Sequence, residues 1–263
     1  MTKPTTLTFD QKDAIATITL NRPEAANGIN LTMADELLEA ANYVAGNPDI
    51  RAVILTAEGK MFSGGGDLKS FAEEGDNLTL TVSKLLESLN AAISVFANMP
   101  KPLIIAVNGT AAGAGFSLAC IGDVVIAANT AKFTMAYSAA GLTPDAGASF
   151  YLPRLVGVRK AQQLMMDNTL LTAQNALDLG ILSQVTEADQ LMETALYHAR
   201  QYAYGPTKAY ATIKQLINNS LNQPLEAQLA LEGKGMLASM ETHDGKEGIS
   251  AFIEKRRPDF IGR

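Results

Sequence analysis

A chain of 263 residues, 47% of them hydrophobic, is long enough to bury one sizeable core or a core with a terminal extension. Its formal net charge of −6 argues against a broad electrostatic grip on nucleic acid or on an anionic membrane, so neither partner is expected. No apolar run approaches the roughly 18–20 residues of a membrane span, and Met1-Thr-Lys-Pro-Thr-Thr6 lacks the apolar stretch of a signal peptide, so a soluble cytoplasmic protein is the expectation.

Alternation in Ala14-Ile-Ala-Thr-Ile-Thr-Leu20 predicts a strand closed by Asn21-Arg-Pro23. Thr32 then reads as the N-cap of a helix whose stripe is Leu37, Leu38, Ala41 and Val44, ended by Gly46-Asn47-Pro48. A strand is expected at Ala52–Ala57, a glycine turn at Met61–Leu68, and a helix over roughly Leu80–Ala97 with Val82, Leu85, Leu86, Leu89 and Ile93 on one side. Strands follow at Leu103–Val107, Asp123–Ala128 and Ala131–Thr134, then a helix at Ala173–Leu179 and a short strand at Ile181–Val185. Repeated strand and helix alternation favours a parallel sheet with helical crossovers. From about Glu187 the pattern is helical, with breaks at Gly205-Pro206 and Gln223-Pro224.

Chemistry concentrates in two glycine-rich turns. Met61-Phe-Ser-Gly-Gly-Gly-Asp-Leu68 and Ala106-Val-Asn-Gly-Thr-Ala-Ala-Gly-Ala-Gly-Phe-Ser-Leu-Ala-Cys120 each follow an apolar strand, and the second runs into a helix. The first N–H groups of a helix have no internal partner, and small residues let a ligand approach the backbone closely. Two such turns aimed at one oxygen would make an oxyanion hole. The lone Cys120 sits in an apolar helical stretch and reads as a structural thiol. His198 and His243 lie far from these turns, and no metal-ligand spacing is present.

With Leu20-Asn-Arg-Pro-Glu-Ala-Ala-Asn27 and Ala251-Phe-Ile-Glu-Lys-Arg-Arg-Pro-Asp-Phe260, these turns occur in the order seen in the enoyl-CoA hydratase/isomerase (crotonase) superfamily, which the chain resembles over nearly its whole length. The resemblance implies an α/β fold, the crotonase (ClpP/crotonase-like) spiral of repeated ββα units. A core over residues 1–204 would be followed by a C-terminal helical trimerisation region over 205–263, assembled as a homotrimer or a dimer of trimers. It also implies an acyl-CoA substrate, with coenzyme A as part of that substrate and no separate cofactor. Gly66 and Ala114 would supply the oxyanion N–H groups, since alanine keeps the donor. Ala26, Gly64, Asp67, Leu68 and Lys69 match positions around the substrate, and Phe252 and Lys255 match C-terminal residues that contact CoA in relatives.

Hydratases of this superfamily use two glutamates, where this chain has Ser117 and Tyr137. A hydroxyl and a phenol do not replace two ionised carboxylates at neutral pH, so efficient hydration is not expected. A different carboxylate, Asp145, stands in Gly141-Leu-Thr-Pro-Asp-Ala-Gly-Ala-Ser149. On local sequence it reads as an N-cap. The stretch is also similar to the acid-bearing loop of Δ3,Δ2-enoyl-CoA isomerases and of the ring-epoxide isomerase of phenylacetyl-CoA breakdown, which implies a catalytic Asp145. Phe116, Tyr137, Phe150 and Tyr151 are candidates to line an acyl pocket, and Ser117 and Tyr137 to position substrate. The expected activity is an isomerase moving a double bond from 3-enoyl-CoA to 2-enoyl-CoA, or rearranging a ring-epoxide acyl-CoA. The alternatives are a hydratase-like or other crotonase reaction, and a non-catalytic CoA-binding member.

Overall fold

The chain begins with a hairpin, β1 (Leu7–Lys12) and β2 (Ile15–Leu20), reversed at Asp13, whose φ of 55° is left-handed. The structure is a computed structural model and describes residues 4–263. Next come α1 (Leu31–Gly46), β3 (Ala52–Ala57), β4 (Met61–Ser63), α2 (Leu68–Glu73) and α3 (Leu78–Asn98). β5 (Leu103–Val107), β6 (Thr110–Ala112), α4 (Ala114–Ala119), β7 (Val124–Ala128) and β8 (Lys132–Thr134) follow. After them lie α5 (Ala148–Val156), α6 (Val158–Asp167), β9 (Leu171–Thr172), α7 (Ala173–Asp178) and β10 (Gln184–Thr186). The chain ends in α8 (Leu191–Ala203), α9 (Thr207–Ser220), α10 (Leu225–Glu241) and α11 (His243–Ile253).

Three times a long strand is followed within a few residues by a short one. β3, β5 and β7 lie side by side in a six-stranded sheet of order β1-β2-β3-β5-β7-β10, while β4, β6 and β8 build a four-stranded sheet of order β4-β6-β8-β9. All pairings of the first sheet except the β1/β2 hairpin are parallel, as are β4/β6 and β6/β8. This is the expected spiral of ββα units. Successive turns of the spiral stack directly. Asn108 Nδ2 donates to Gly59 O at 2.9 Å, and a Cβ on Gly109 would overlap the Lys60 carbonyl.

β3, β5 and β7 are buried along their length because both faces of the sheet are covered. One face meets α1 and α3 through Leu37, Ala41, Leu85, Leu89 and Phe96. The other meets α8, whose Leu191, Ala195, Ala199 and Ala203 recur every fourth residue and form one apolar stripe against Ile54, Ile104 and Ile126. The last helices are tied to the core by Arg51, which donates to Thr207 Oγ1 (2.9 Å), Gly205 O (2.5 Å) and Phe260 O (3.2 Å). Buried Asp244 accepts from the N–H groups of Ile261 and Gly262, folding the tail back.

Several local expectations shift. Asn30, not Thr32, caps α1, accepting from Met33 N–H at 3.0 Å, while Thr32 is an exposed helical residue. The strand expected at Ile181–Val185 lies at Gln184–Thr186; Ile181 and Leu182 are apolar because they plug the core after α7. β1, β4, β6, β9 and α2 were not foreseen as elements, since most are too short to show a period and several are rich in small residues. The segment Gly75–Asn98, which contains α3, has by length and composition alone the make-up of a membrane-crossing helix, with a mean hydropathy of 1.2. It also carries Lys84 and Glu87 and buries Leu85, Leu89, Ile93 and Phe96 in the core.

Asn27, fully buried at a left-handed φ of 50°, anchors the entrance to the first glycine turn. Its Nδ2 donates to Glu58 O and Met61 O, both at 2.8 Å, and its Oδ1 accepts from Arg22 N–H at 2.8 Å. Asn27→Ala orphans these groups and is expected to lower unfolding stability by about 2–4 kcal/mol, read from the urea midpoint at an unchanged m-value.

Candidate active site

The first glycine turn leaves β4 and is held on every side but one. Gly64 N–H donates to Ala26 O (2.8 Å), Gly65 N–H to Ser63 Oγ (3.1 Å), and Ser63 Oγ–H to Asn27 O (2.8 Å). Ile29 N–H donates to Gly65 O and Asp67 N–H to Ile29 O. Gly66 N–H meets no internal acceptor among the described residues. The second turn runs from β6 into α4. Gly113 N–H is used by Thr134 O, but Ala114, the first residue of α4, has an N–H with no internal acceptor among the described residues.

The two turns abut. Gly65 has φ 92°, and a Cβ there would lie 2.9 Å from Ala112 O and 3.2 Å from Ala114 N. A Cβ on Gly115 would sit 2.5 Å from Ser63 O, so the start of α4 rests directly on β4. Both free donors therefore border one cleft of about 280 Å3, lined by backbone at Gly64, Gly66, Gly113 and Ala114 and by side chains that include Leu68, Phe71, Val82, Leu86, Tyr137 and Asp145. A wider apolar groove of about 600 Å3 between α2 and α3 shares Leu68, Phe71, Val82, Leu86 and Leu142 with it.

Asp145 does not cap a helix. Gly147 holds the N-cap position of α5 without a side-chain bond, and Asp145 O accepts from Ala148 N–H. Its carboxylate Oδ1 instead accepts from the Tyr137 hydroxyl at 2.5 Å, and Ser117 Oγ lies 3.0 Å from that hydroxyl. Burial pushes the Asp145 carboxyl above its ordinary value, and the Tyr137 hydrogen bond offsets only part of that. Burial and the neighbouring carboxylate drive the Tyr137 phenol well above its usual range, so it stays a donor.

Of the sequence candidates, Gly64, Gly66, Leu68, Ala114, Tyr137 and Asp145 meet in the cleft. Ser117 reaches it through Tyr137, and Ala26 borders it through the Gly64 bond. Phe116 does not line it; it is core, with its ring 5.3 Å from that of Phe133. Phe150 is exposed and covered by Arg154, and Tyr151 packs beside Phe150, so neither faces the cleft. Asp67 also points elsewhere. It caps α2 through Ser70 N–H and pairs with Arg22 at 2.9 Å, and although burial opposes it, these bonds hold its carboxyl below the usual range. Lys69 is exposed outside the cleft. Phe252 lines a separate cavity of about 350 Å3 among the C-terminal helices, and Lys255 follows it at a left-handed φ of 55°. Cys120 is buried and its thiol is pushed up to about 12, which leaves it inert. No group of three or more potential metal ligands occurs among the described residues.

The wall residues Phe71, Val82, Leu86 and Leu142 were not foreseen as site residues. Val82 and Leu86 carried a signal, since their stripe on α3 is wider than one core contact, but periodicity does not say which edge meets a ligand.

The sequence profile of the enoyl-CoA hydratase/isomerase family matches residues 10–263. The chain belongs to that family. The 1,2-epoxyphenylacetyl-CoA isomerase of Escherichia coli is 39% identical over 253 residues, 95% of each chain. A probable enoyl-CoA hydratase of Rhodobacter capsulatus is 38% identical over 258 residues, 98% of each chain. The crystal structure of an enoyl-CoA hydratase from Polaromonas sp. JS666 superposes with a TM-score of 0.92 at 36% identity, covering 97% of this chain and 99% of that one. In this enoyl-CoA hydratase/isomerase, Gly65→Ala would push the two turns apart. Turnover is expected to fall by about 10²-fold, because the change displaces a free backbone N–H donor at the cleft, while far-UV circular dichroism stays at the parent value.

Proposed function

We propose that the chain is an acyl-CoA isomerase that moves a double bond from the 3,4 to the 2,3 position, with Asp145 as the proton shuttle and the N–H groups of Gly66 and Ala114 as the oxyanion hole. The observation that carries this reading is one partly buried carboxylate lining the same largely apolar cleft as two unused backbone donors. Among the described residues Asp145 Oδ2 accepts no hydrogen bond from another residue, which leaves it as the oxygen for substrate.

The carboxylate takes the proton from C2 of the 3-enoyl thioester. The C2–H electron pair becomes part of a dienolate whose charge collects on the thioester oxygen, where two preorganised N–H donors stabilise it. The protonated Asp145 then gives the same proton to C4, and the double bond re-forms between C2 and C3. No water is consumed and the base is regenerated. Ser117 and Tyr137 carry a hydroxyl and a phenol, so neither is a second carboxylate to activate water. A ring-epoxide acyl-CoA is a variant substrate for the same hole and base, supported by the likeness to the Escherichia coli isomerase. The hydratase reading draws on the Rhodobacter capsulatus relative and is an outcome of the same test.

The test follows 3-enoyl-CoA thioesters by the absorbance of the conjugated product, with crotonyl-CoA hydration run in parallel. The parent is expected to isomerise, with an acid limb of kcat/KM above the ordinary carboxylate value of about 4, because the base works only when ionised and its pKa is raised. Asp145→Asn should lose at least about 100-fold. Hydration without isomerisation would sink the proposal in favour of the hydratase reading.

We also propose a homotrimer or dimer of trimers. Support comes from the C-terminal helices, which expose Ile217, Leu221, Leu225, Leu229, Leu237 and Phe252 to solvent in the single chain. Sedimentation velocity should show a multiple of three chains and no monomer at micromolar concentration, and a monomeric profile would refute it.

A further inference from the structure

The two positions that carry glutamates in hydratases are joined into a single hydrogen-bonded path here. Tyr137 has one proton, and its 2.5 Å contact with Asp145 uses it, because an ionised carboxylate only accepts. The Ser117 hydroxyl has two acceptors in reach, Gly113 O at 3.3 Å and the phenol oxygen at 3.0 Å, and the shorter contact runs from Ser117 to the phenol oxygen. The path is directional, from Ser117 to Tyr137 to Asp145.

Each member is held by something rigid. Ser117 is fully buried on α4, three residues past Ala114, and its N–H donates to Gly113 O at 3.1 Å. Tyr137 is 8% exposed, and its carbonyl accepts from Ala140 and Leu142 N–H, both at 3.0 Å, which closes the loop leading to Asp145. Asp145 itself sits on an irregular segment between that loop and α5, with Ala146 and Gly147 at left-handed φ of 52° and 78°. Its carbonyl accepts from Ala148 N–H at 3.0 Å, while its carboxylate takes its side-chain donor from Tyr137. The hydrogen-bond path ties it to α4, the helix whose first N–H is the oxyanion donor.

We propose that Tyr137, braced by Ser117, is a positioning residue that locks Asp145 Oδ1 and so keeps Oδ2 in register with the Ala114 N–H across the cleft. The inference rests on the isomerase reading above and deepens it. A base that must serve both C2 and C4 of one substrate has to keep one oxygen free and its position fixed relative to the thioester oxygen. The donor also favours the ionised form of Asp145, which helps return the proton to C4 in the second half of the reaction.

Among the cleft-lining residues from the glycine turns, α2, α3 and the 136–145 loop, Tyr137 and Asp145 are the only titratable side chains. Lys69 on α2, Lys84 and Glu87 on α3 and Arg154 on α5 are exposed outside it. A change in Asp145 titration therefore reports on the Tyr137 contact. Losing a hydrogen bond to a charged group corresponds to about one to two pH units.

The experiment compares parent, Tyr137→Phe and Ser117→Ala by two readouts. One is the pH profile of kcat/KM on a 3-enoyl-CoA. The other is carbon-13 NMR titration of the Asp145 carboxyl, assigned with Asp145→Asn, which needs no turnover. Tyr137→Phe should raise the acid limb and the NMR midpoint together by about one to two units and cut kcat at least tenfold, with KM changed less than about threefold. Ser117→Ala should move both in the same direction by less than a unit. Parent-like midpoints in both variants would overturn the proposal, as would loss of kcat with no midpoint change. Should Tyr137→Phe fail to fold, Ser117→Ala decides by the same criteria. A parent without isomerase activity refutes the isomerase reading alone, and the NMR titration then judges the brace.

Discussion

Everything in the cleft depends on the contact between two glycine turns that no side chain separates. Gly65 packs within about van der Waals reach of the Ala112 carbonyl and the Ala114 nitrogen, and Gly115 does the same against Ser63. These contacts are possible because β4 and β6 are parallel neighbours that end together, so the turns leaving them fall on the same side of the small sheet. The consequence is chemical. The N–H groups of Gly64, Gly65, Asp67 and Gly113 are taken by Ala26, Ser63, Ile29 and Thr134, while those of Gly66 and Ala114, both lining the cleft, have no internal acceptor among the described residues.

A second balance sets the carboxylate. Taking Asp145 out of water disfavours its charge, and a single hydroxyl donor restores part of what is lost. The result is a carboxyl held above the ordinary aspartate value, with no cation paired to it among the described residues. Asp67, directly after the cleft glycine Gly66, shows the opposite outcome. Its burial is outweighed by Ser70 and Arg22, which make it a structural anion that shapes α2. The same residue type thus takes two roles according to what donates to it.

The helices divide their faces between the core and the cleft. On α3, Leu85, Leu89 and Ile93 enter the core, while Val82 and Leu86 turn to the cleft and its neighbouring groove. On α4, Ala114 faces the cleft through its backbone, Ser117 braces Tyr137, and Phe116 packs against Phe133. One turn of this short helix thus sends three residues in three directions.

Much of this was legible in the chain. The continuous apolar runs Ala52–Ala57 and Leu103–Val107 imply strands covered on both faces, the glycines at 64–66 and 113–115 mark where a backbone must come close to something, and Asp145 stands alone among uncharged neighbours. Those are local properties, set by side-chain size, polarity and period. What lies across the fold was not legible. Whether Asp145 capped α5 or met Tyr137, which edge of the α3 stripe faced a cleft, and that Phe116 was core and Phe252 belonged to another cavity all depend on through-space neighbours. Sequence determined which backbone groups had to be unencumbered and where a carboxylate was available. Only the tertiary structure decided what each of them faces, because orientation and burial are fixed by packing between elements that are distant along the chain.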